Sequence, residues 1–335
     1  MADISSFDIE VNAALERLLS SVPKVKAAVL EKREIPKNDV LEKNTTAHAE
    51  TECVSVGVKT EKKPFDAVNR RENGGGSSRI ISLASGSRAN CTLVEAGGTR
   101  ILIDFGLSCR MLSGFLKPYG LDIADVDAVF ITHEHTDHVY GLSTLLKKYD
   151  IPVHMTEPSY LAYTRKSGFE YRDKITVHEV EFKEEIGGFT VSSCEISHDS
   201  AACVSYLVEG NGVSFCTCTD LGFVPERVFK HISRAENVIL ESNHDVDLLD
   251  SGEYPFEVKQ RIKSRFGHLS NEQCAEILVR LVEAGVKRVL LGHVSPENND
   301  PDIAWRVSKR ALECARVNIE YLDTAPRLEP KVLLG

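Results

Sequence analysis

Residues 132–141 read Thr-His-Glu-His-Thr-Asp-His-Val-Tyr-Gly and deliver three imidazoles and a carboxylate within six residues, His133 to His138. Imidazole and carboxylate are ligands suited to Zn²⁺, Mn²⁺ or Fe²⁺. On an extended backbone His133 and His135 fall on one side. If the chain turns just beyond, Asp137 and His138 face a second point nearby, as two metals a few ångströms apart require. The apolar-rich run Val126–Ile131 leads into the cluster and reads as the strand that holds it.

Three further ligand candidates follow apolar strand-like runs. His198 lies in Ile-Ser-His-Asp-Ser, Asp220 in Thr-Cys-Thr-Asp-Leu-Gly, and His293 in Leu-Leu-Gly-His-Val-Ser. Just past a strand end, a site is open while its scaffold stays rigid. The expected division puts His133, His135 and His198 on one metal, Asp137, His138 and His293 on the other, and Asp220 as the bridge. Two cations dominate the local field and keep such a bridge ionised. They also leave room for a bridging water, lower its pKa and aim hydroxide at an electrophile.

The elements that must position these residues begin at Arg79. Strand-like runs are expected at 79–83, 92–95, 101–104, 128–132, 152–155, 174–178, 189–195, 202–208, 212–217, 237–241, 288–291 and 318–322. Helical patterns fall at 142–149, 158–167, 271–284 and 301–317, and Ser270-x-x-Gln273 reads as a capping box. Many strands in both halves, flanked by helices, predict an α/β four-layer αββα sandwich over 79–335. Ahead of it, 1–78 reads as an N-terminal extension. A short amphipathic helix within 5–30 is carried by Phe7, Val11, Leu15, Leu18, Leu19 and Val22 and bent or ended at Pro23. A charged flexible linker follows over 31–78, and the whole extension is either a tail or a docking segment for a protein partner.

The net charge of −10 argues against a protein that coats nucleic acid, without excluding local basic surface. No apolar run is long enough to span a membrane, and the acidic start lacks the pattern of a signal peptide. Nine scattered cysteines without a CxxC pair suggest reduced thiols and a cytoplasmic location, with Cys216 and Cys218 packing on one strand face.

The ordered set of an HxHxDH cluster, a later His, a later Asp and a final His resembles the metallo-β-lactamase superfamily over about 79–335. The resemblance implies the αββα fold and a binuclear site. It also makes Asp104, in Leu-Ile-Asp-Phe-Gly, the carboxylate that braces the metal loop. Ser82–Asn90, Glu241–Asp245, Gly267–Asn271 and Gly292–Asn299 look like the YycJ/WalJ branch, a cousin of ribonuclease Z and the β-CASP nucleases. That branch is linked to 5′-to-3′ exonuclease action on double-stranded DNA. Arg88-Ala89 departs from the commoner Ser-Gly, which puts the shape of a loop near the site in question.

The expectation is therefore a phosphodiester hydrolase, exonuclease-like on DNA, that uses two divalent ions, Zn²⁺ or Mn²⁺, and a metal-bridging hydroxide. The nuclease cousins imply His268 as general acid, oriented by Glu241; His244 is a candidate for positioning substrate. Lys259, Arg261, Lys263 and Arg265 form a basic run suited to phosphates or, equally, a solvated helix face. His48, His154, His178 and His231 read as ordinary residues. The rival readings are a hydrolase of a cyclic phosphate, lactone or thioester, a metal-binding interaction protein without catalysis, and iron–oxygen chemistry on the same ligands.

Overall fold

The computed structural model describes residues 78–335. The expected helix and linker of the extension lie outside the described residues.

Two seven-stranded sheets face each other. The first contains β1 (Arg79–Ala84), β2 (Cys91–Ala96), β3 (Thr99–Ile103), β4 (Ala128–Phe130), β5 (Val153–Thr156) and β6 (Ile175–His178). The second contains β7 (Lys183–Ile186), β8 (Phe189–Ile196), β9 (Cys203–Gly210), β10 (Val213–Cys218), β11 (Asn237–Glu241), β12 (Arg288–Gly292) and β13 (Tyr321–Thr324). The last strand, β14 (Lys331–Leu334), returns to the first sheet and closes its edge against β1. The orders are β14-β1-β2-β3-β4-β5-β6 and β13-β12-β11-β10-β9-β8-β7.

Most central strands are buried on both faces, and alternation within them builds three cores. Ile80, Ile101, Ile103 and Phe130 meet Val204, Tyr206, Phe215, Ile239 and Leu290 between the sheets. Ile81, Leu102, Val129 and Val153 point the other way, under helices α1 (Cys109–Leu116), α3 (Leu142–Lys148) and α4 (Glu157–Ser167). On the second sheet Cys216, Cys218, Val238, Leu240 and Leu291 lie under α5 (Glu226–Ile232), α8 (Asn271–Glu283) and α9 (Pro301–Ala315). Three more short α-helices, α2 (Thr136–Val139), α6 (Val246–Ser251) and α7 (Phe256–Ile262), and two 3-10 turns at Lys117–Tyr119 and Ile123–Asp125 complete the described set. This is the four-layer sandwich that the pattern predicts, and Cys216 and Cys218 pack in its outer core as expected. Two elements end two residues earlier than their patterns suggest. β4 stops at Phe130, so Ile131 and Thr132 already belong to the loop, and α9 stops at Ala315 because Arg316 turns left-handed. The last strand of the second sheet starts only at Tyr321, where pairing with β12 begins at Arg288.

The sheet order decides where the chemistry sits. β3 and β4 are parallel neighbours, and so are β10, β11 and β12. β8 runs with β10, because each is antiparallel to β9 between them. The chain therefore leaves β3, β4, β8, β10, β11 and β12 along one rim of the sandwich. Asp104, the 133–138 cluster, His198, Asp220, Glu241 and His293 all stand on that rim.

Candidate metal centre

Beyond β4 the chain bends at Thr132, is extended at His135 and then turns into α2, a single helical turn. The turn does what the spacing requires: His133 and His135 meet His198, while Asp137 and His138 swing towards His293. The ring centroids of His133, His135 and His198 lie 4.6–5.1 Å apart, and their ligand nitrogens form one cluster. On the other side, His138 Nε2 is 3.2 Å from Asp137 Oδ2, and His293 Nε2 is 3.9 Å from the same oxygen. Asp220 stands between the groups. One oxygen is 3.4 Å from His138 Nε2, and the other is 3.5 Å from His293 Nε2 and 3.9 Å from His198 Nε2.

Three of the imidazoles are aimed by what holds the far nitrogen. His138 Nδ1 donates to Asp104 Oδ2 at 2.8 Å, and His293 Nδ1 donates to Glu241 Oε1 at 2.8 Å. His133 Nδ1 lies 3.1 Å from Thr132 Oγ1 and 3.5 Å from Cys203 Sγ. In all three rings Nε2 is left facing the centre, and for His138 and His293 this is the carboxylate–histidine arrangement that fixes ring orientation and raises ligand basicity. Buried atoms without a partner include His133 Nε2, His293 Nε2 and Asp220 Oδ2. Unpaired buried polar atoms are costly; the histidine nitrogens belong to the two groups on either side of Asp220, and each fits a cation on its own side.

The electrostatics agree. Burial alone would raise the carboxyls of Asp137 and Asp220, yet neighbouring imidazoles hold both well below the usual carboxylate range. Burial alone would lower His138 and His293, yet Asp104, Asp137, Asp220 and Glu241 push these two imidazoles well up. The cluster thus attracts positive charge strongly, and metal ions entering it would displace protons. His133 and His198 are lowered, by burial first, and offer neutral nitrogens.

Three of these positions adopt left-handed backbone without being glycine: Asp104 (φ 64°), Asp220 (φ 63°) and His293 (φ 55°). Such conformations cost free energy and persist where surrounding bonds over-determine them. Phe130 O accepts from Asp104 N, Glu241 from Asp220 N, and Ser85 Oγ from His293 N. Gly106 permits a further close approach, since a Cβ there would lie 1.7 Å from Asp137 O.

Glu241 has no solvent exposure and sits at the centre of a second set of contacts. It accepts from the backbone of Asp220, Leu221 and Leu269 and from the rings of His293 and His268. Burial opposes its ionisation, but the imidazoles of His268 and His293 bring its carboxyl down to about 2. His268 Nδ1 donates to it at 2.9 Å, which leaves Nε2 for a substrate. The His268 ring is partly exposed and lies 5.3 Å from His198 and 5.1 Å from His293. His244 is buried beside this group with no partner at Nδ1, and burial lowers its imidazole to about 4. No contact described for it reaches the metal-ligand cluster.

The basic run does not form one track. Lys259 donates to the carbonyls of Asp250 and Gly252 at the end of α6, and Lys263 pairs with Asp250. Arg261 pairs with Asp199, next to His198, and the Arg265 guanidinium lies 4.7 Å from the Phe223 ring centre. Only the two arginines are tied to the rim of the site.

Sequence reasoning missed Asn90, whose Nδ2 donates to Asp137 Oδ2 at 3.0 Å, and Ser85, which fixes His293. It also missed Asn243, which donates to the carbonyl of His293, and Lys166, which donates to Thr136 inside the metal loop. All but Lys166 lie in motifs already singled out. The unusual Arg88-Ala89 leaves the turn intact: Arg88 is exposed, Ala89 is buried, and Asn90 still bonds Gly86 in both directions.

His154, His178 and Glu184 form another group of metal-ligand types. The two rings are nearly coplanar (17°), with centroids 5.3 Å apart and nitrogens at 3.0 Å. The nitrogens therefore lie on the line between the rings, where a lone pair meets an N–H. A shared cation needs lone pairs that converge at an angle. This is a hydrogen bond, in keeping with the reading of both as ordinary core residues.

A model of the β-lactamase superfamily domain matches residues 99–294. The chain belongs to the β-lactamase superfamily. It is 34% identical over 250 residues to exodeoxyribonuclease WalJ of Streptococcus pneumoniae, covering 73% of this chain and 93% of that protein. Exodeoxyribonuclease YycJ of Bacillus anthracis is likewise 34% identical, over 75% of this chain and 96% of the relative. Among solved structures, the metallo-β-lactamase fold protein YhfI of Bacillus subtilis superposes with a TM-score of 0.55 at 17% identity, covering 76% of this chain and 99% of that one. Zn²⁺-bound PqqB of Methylobacterium extorquens gives 0.56 at 16%, over 76% of this chain and 99% of PqqB, which shows a shared fold. No helix among the described residues is long and apolar enough to cross a membrane.

Proposed function

We propose that this chain is a metal-dependent hydrolase that cleaves phosphodiester bonds of DNA from an end, with two divalent cations, Zn²⁺ or Mn²⁺, held in the rim site. The observation that carries the two-cation reading is the place of Asp220, within 4 Å of ligand nitrogens from both histidine groups. The similarity to two exodeoxyribonucleases over three quarters of the chain supports DNA as substrate.

His133, His135 and His198 would hold one cation, Asp137, His138 and His293 the other, with Asp220 shared. When bound, the pair supplies Lewis acidity to phosphate oxygens and activates a water. The rest falls to the protein. Asp104 and Glu241 keep His138 and His293 in the tautomer and orientation that present Nε2. Asn90 fixes the Asp137 carboxylate. His268, with Nδ1 on Glu241, donates a proton from Nε2 to the departing oxygen, which cannot leave easily as an alkoxide. His244 is buried, so a part in positioning substrate would run through its neighbours. Arg261 and Arg265 line the mouth and meet phosphates, and Lys166, bonded to Thr136, adds a further cation. Lys259 and Lys263 instead anchor α7 to α6, so the phosphate role of the basic run narrows to its arginines.

Residues 79–335 form the hydrolase domain in this reading, since β1 and β14 complete the first sheet outside the matched residues 99–294. The extension 1–78 is left as a tail or docking segment. Eight described cysteines are free and most are buried, which supports a reducing, cytoplasm-like compartment.

The test uses purified, metal-analysed protein supplied with Mn²⁺ or Zn²⁺ and end-labelled duplex DNA, single-stranded DNA and RNA. Asp137→Ala runs alongside. Progressive shortening of DNA from one end, absent in the variant, is expected. Cleavage of no polymer, with metal bound, would overturn the reading and turn attention to small cyclic phosphates, lactones and thioesters.

A further inference from the structure

The lip of the site carries an arrangement that metal chemistry does not require. Asp220 leads through Gly222 to Phe223, and on the facing loop Arg265 and Phe266 precede His268. These loops touch at backbone level: a Cβ on Gly222 would lie 2.3 Å from Ser264 O and 2.5 Å from Arg265 C. The Arg265 guanidinium lies 4.7 Å from the Phe223 ring centre and 5.8 Å from that of Phe266. Phe223 is half-buried, whereas Phe266 is 52% exposed.

Phe266 is one of several large apolar side chains exposed at the surface, and exposure alone is ordinary. Here the position of the ring is fixed. Gly267 lies so close to the end of α7 that a Cβ would meet Ile262 O at 2.1 Å, and His268 N donates to that same carbonyl at 2.9 Å. The loop is therefore folded tightly back, with Phe266 outside and His268 inside, one residue apart. The ring stands at a set place relative to His268 and is backed by a cation on one side. Arg261, 62% exposed along its side chain and paired with Asp199, adds positive charge at the same lip.

We propose that Phe266, backed by Arg265 and Phe223, is the stacking platform for the nucleobase beside the scissile phosphate. A flat π-face recognises any base, and an arginine behind it favours a polyanion without reading sequence. The platform takes an unpaired or frayed end, because a base inside an intact duplex has both faces covered. Phe266 is thus a positioning residue. This inference rests on the proposed action on nucleic acid.

The test compares the parent chain, Phe266→Ala and Phe266→Trp, all metal-loaded. The probe is a phosphorothioate oligonucleotide with terminal 2-aminopurine, whose fluorescence responds to stacking. Hydrolysis of matched oligonucleotides with a normal or an abasic terminal residue is measured in parallel. Phe266→Ala is expected to weaken binding by about 5- to 150-fold, as loss of one base–aromatic stack does. It should remove the fluorescence change and raise KM more than it lowers kcat. Metal content and turnover of the abasic end should match the parent, and Phe266→Trp should restore the signal. A parent that cleaves DNA while Phe266→Ala binds equally well, or loses both substrates equally, overturns the platform and leaves the nuclease reading standing. A parent that neither binds nor cleaves any oligonucleotide overturns both.

Discussion

Replacing Asp104 with Asn separates the charge that braces the metal loop from the shape of the loop. Asn tolerates the left-handed backbone that Asp104 adopts at φ 64°, and its volume is nearly the same, so the turn after β3 survives. The hydrogen bonding does not. One carboxylate oxygen accepts from Thr132 N at 2.9 Å, and Oδ2 accepts from His138 Nδ1 at 2.8 Å. An amide has one acceptor oxygen, so its NH₂ must face one of these two donors. Asp104 is only 4% exposed, and water cannot repair the mismatch. Loss of a charged acceptor of this kind costs about 1.5–3 kcal/mol. Independently, removing the carboxylate behind a metal-bound histidine weakens the metal by about 10- to 100-fold. A tenfold change is about 1.4 kcal/mol, so the two scales agree. Competition against a chromophoric chelator, with the rate followed as Mn²⁺ is raised, measures this directly. Asp104→Asn should shift half-saturation for the weaker metal upward by that factor and recover most of its turnover at saturating metal. An unchanged chelator curve would refute the idea that Asp104 acts through His138.

His268→Ala should slow cleavage of a substrate with a poor leaving group by about two to four orders of magnitude. It should leave metal content intact and matter much less for a p-nitrophenyl ester; equal losses on both esters would contradict the proton-donor role. Gly106→Ala forces a Cβ to within 1.7 Å of Asp137 O, so urea unfolding should show a loss of about 1–3 kcal/mol together with weaker metal binding. His154 tests the pH dependence away from the metals. Burial, then His178, lowers it from 6.5 to about 4, so the unfolded chain binds the extra proton first, and stability present above pH 6.5 is lost as pH falls towards 4. His154→Phe, which keeps a ring against Phe130, should therefore lose about 2 kcal/mol less than the parent between pH 7 and pH 5. Parallel urea midpoints for the two proteins across that range would count against this assignment.

The candidate ligands could be picked out because the fold presents them at strand ends, and strand ends can be read from apolar runs. The 133–138 cluster carries its own geometry, an extended stretch and then one helical turn. His198, Asp220 and His293 each follow a run long enough to recognise. What stayed hidden depends on pairing between distant segments. Lys331–Leu334 shows nothing locally that predicts a place beside Arg79–Ala84. Lys183–Ile186, charged at three of its four positions and partly exposed, reads as a loop until β8 pairs with it. The basic run looked continuous in one dimension, whereas in space two of its cations serve α6 and two reach the site. Asn90 and Asn243 lay within recognised motifs, but their bonds to Asp137 and His293 span 47 and 50 residues of chain. Such bonds appear only once strands distant in sequence are brought together within one sheet.

The measurement that bears most directly on the central claim is the rate of DNA hydrolysis as metal-free protein is titrated with Mn²⁺, with bound metal counted in the same samples. The arrangement around Asp220 predicts little hydrolysis while the first equivalent fills and a steep rise that is complete at two. Full turnover with a single equivalent bound, or hydrolysis by metal-free protein, would contradict it.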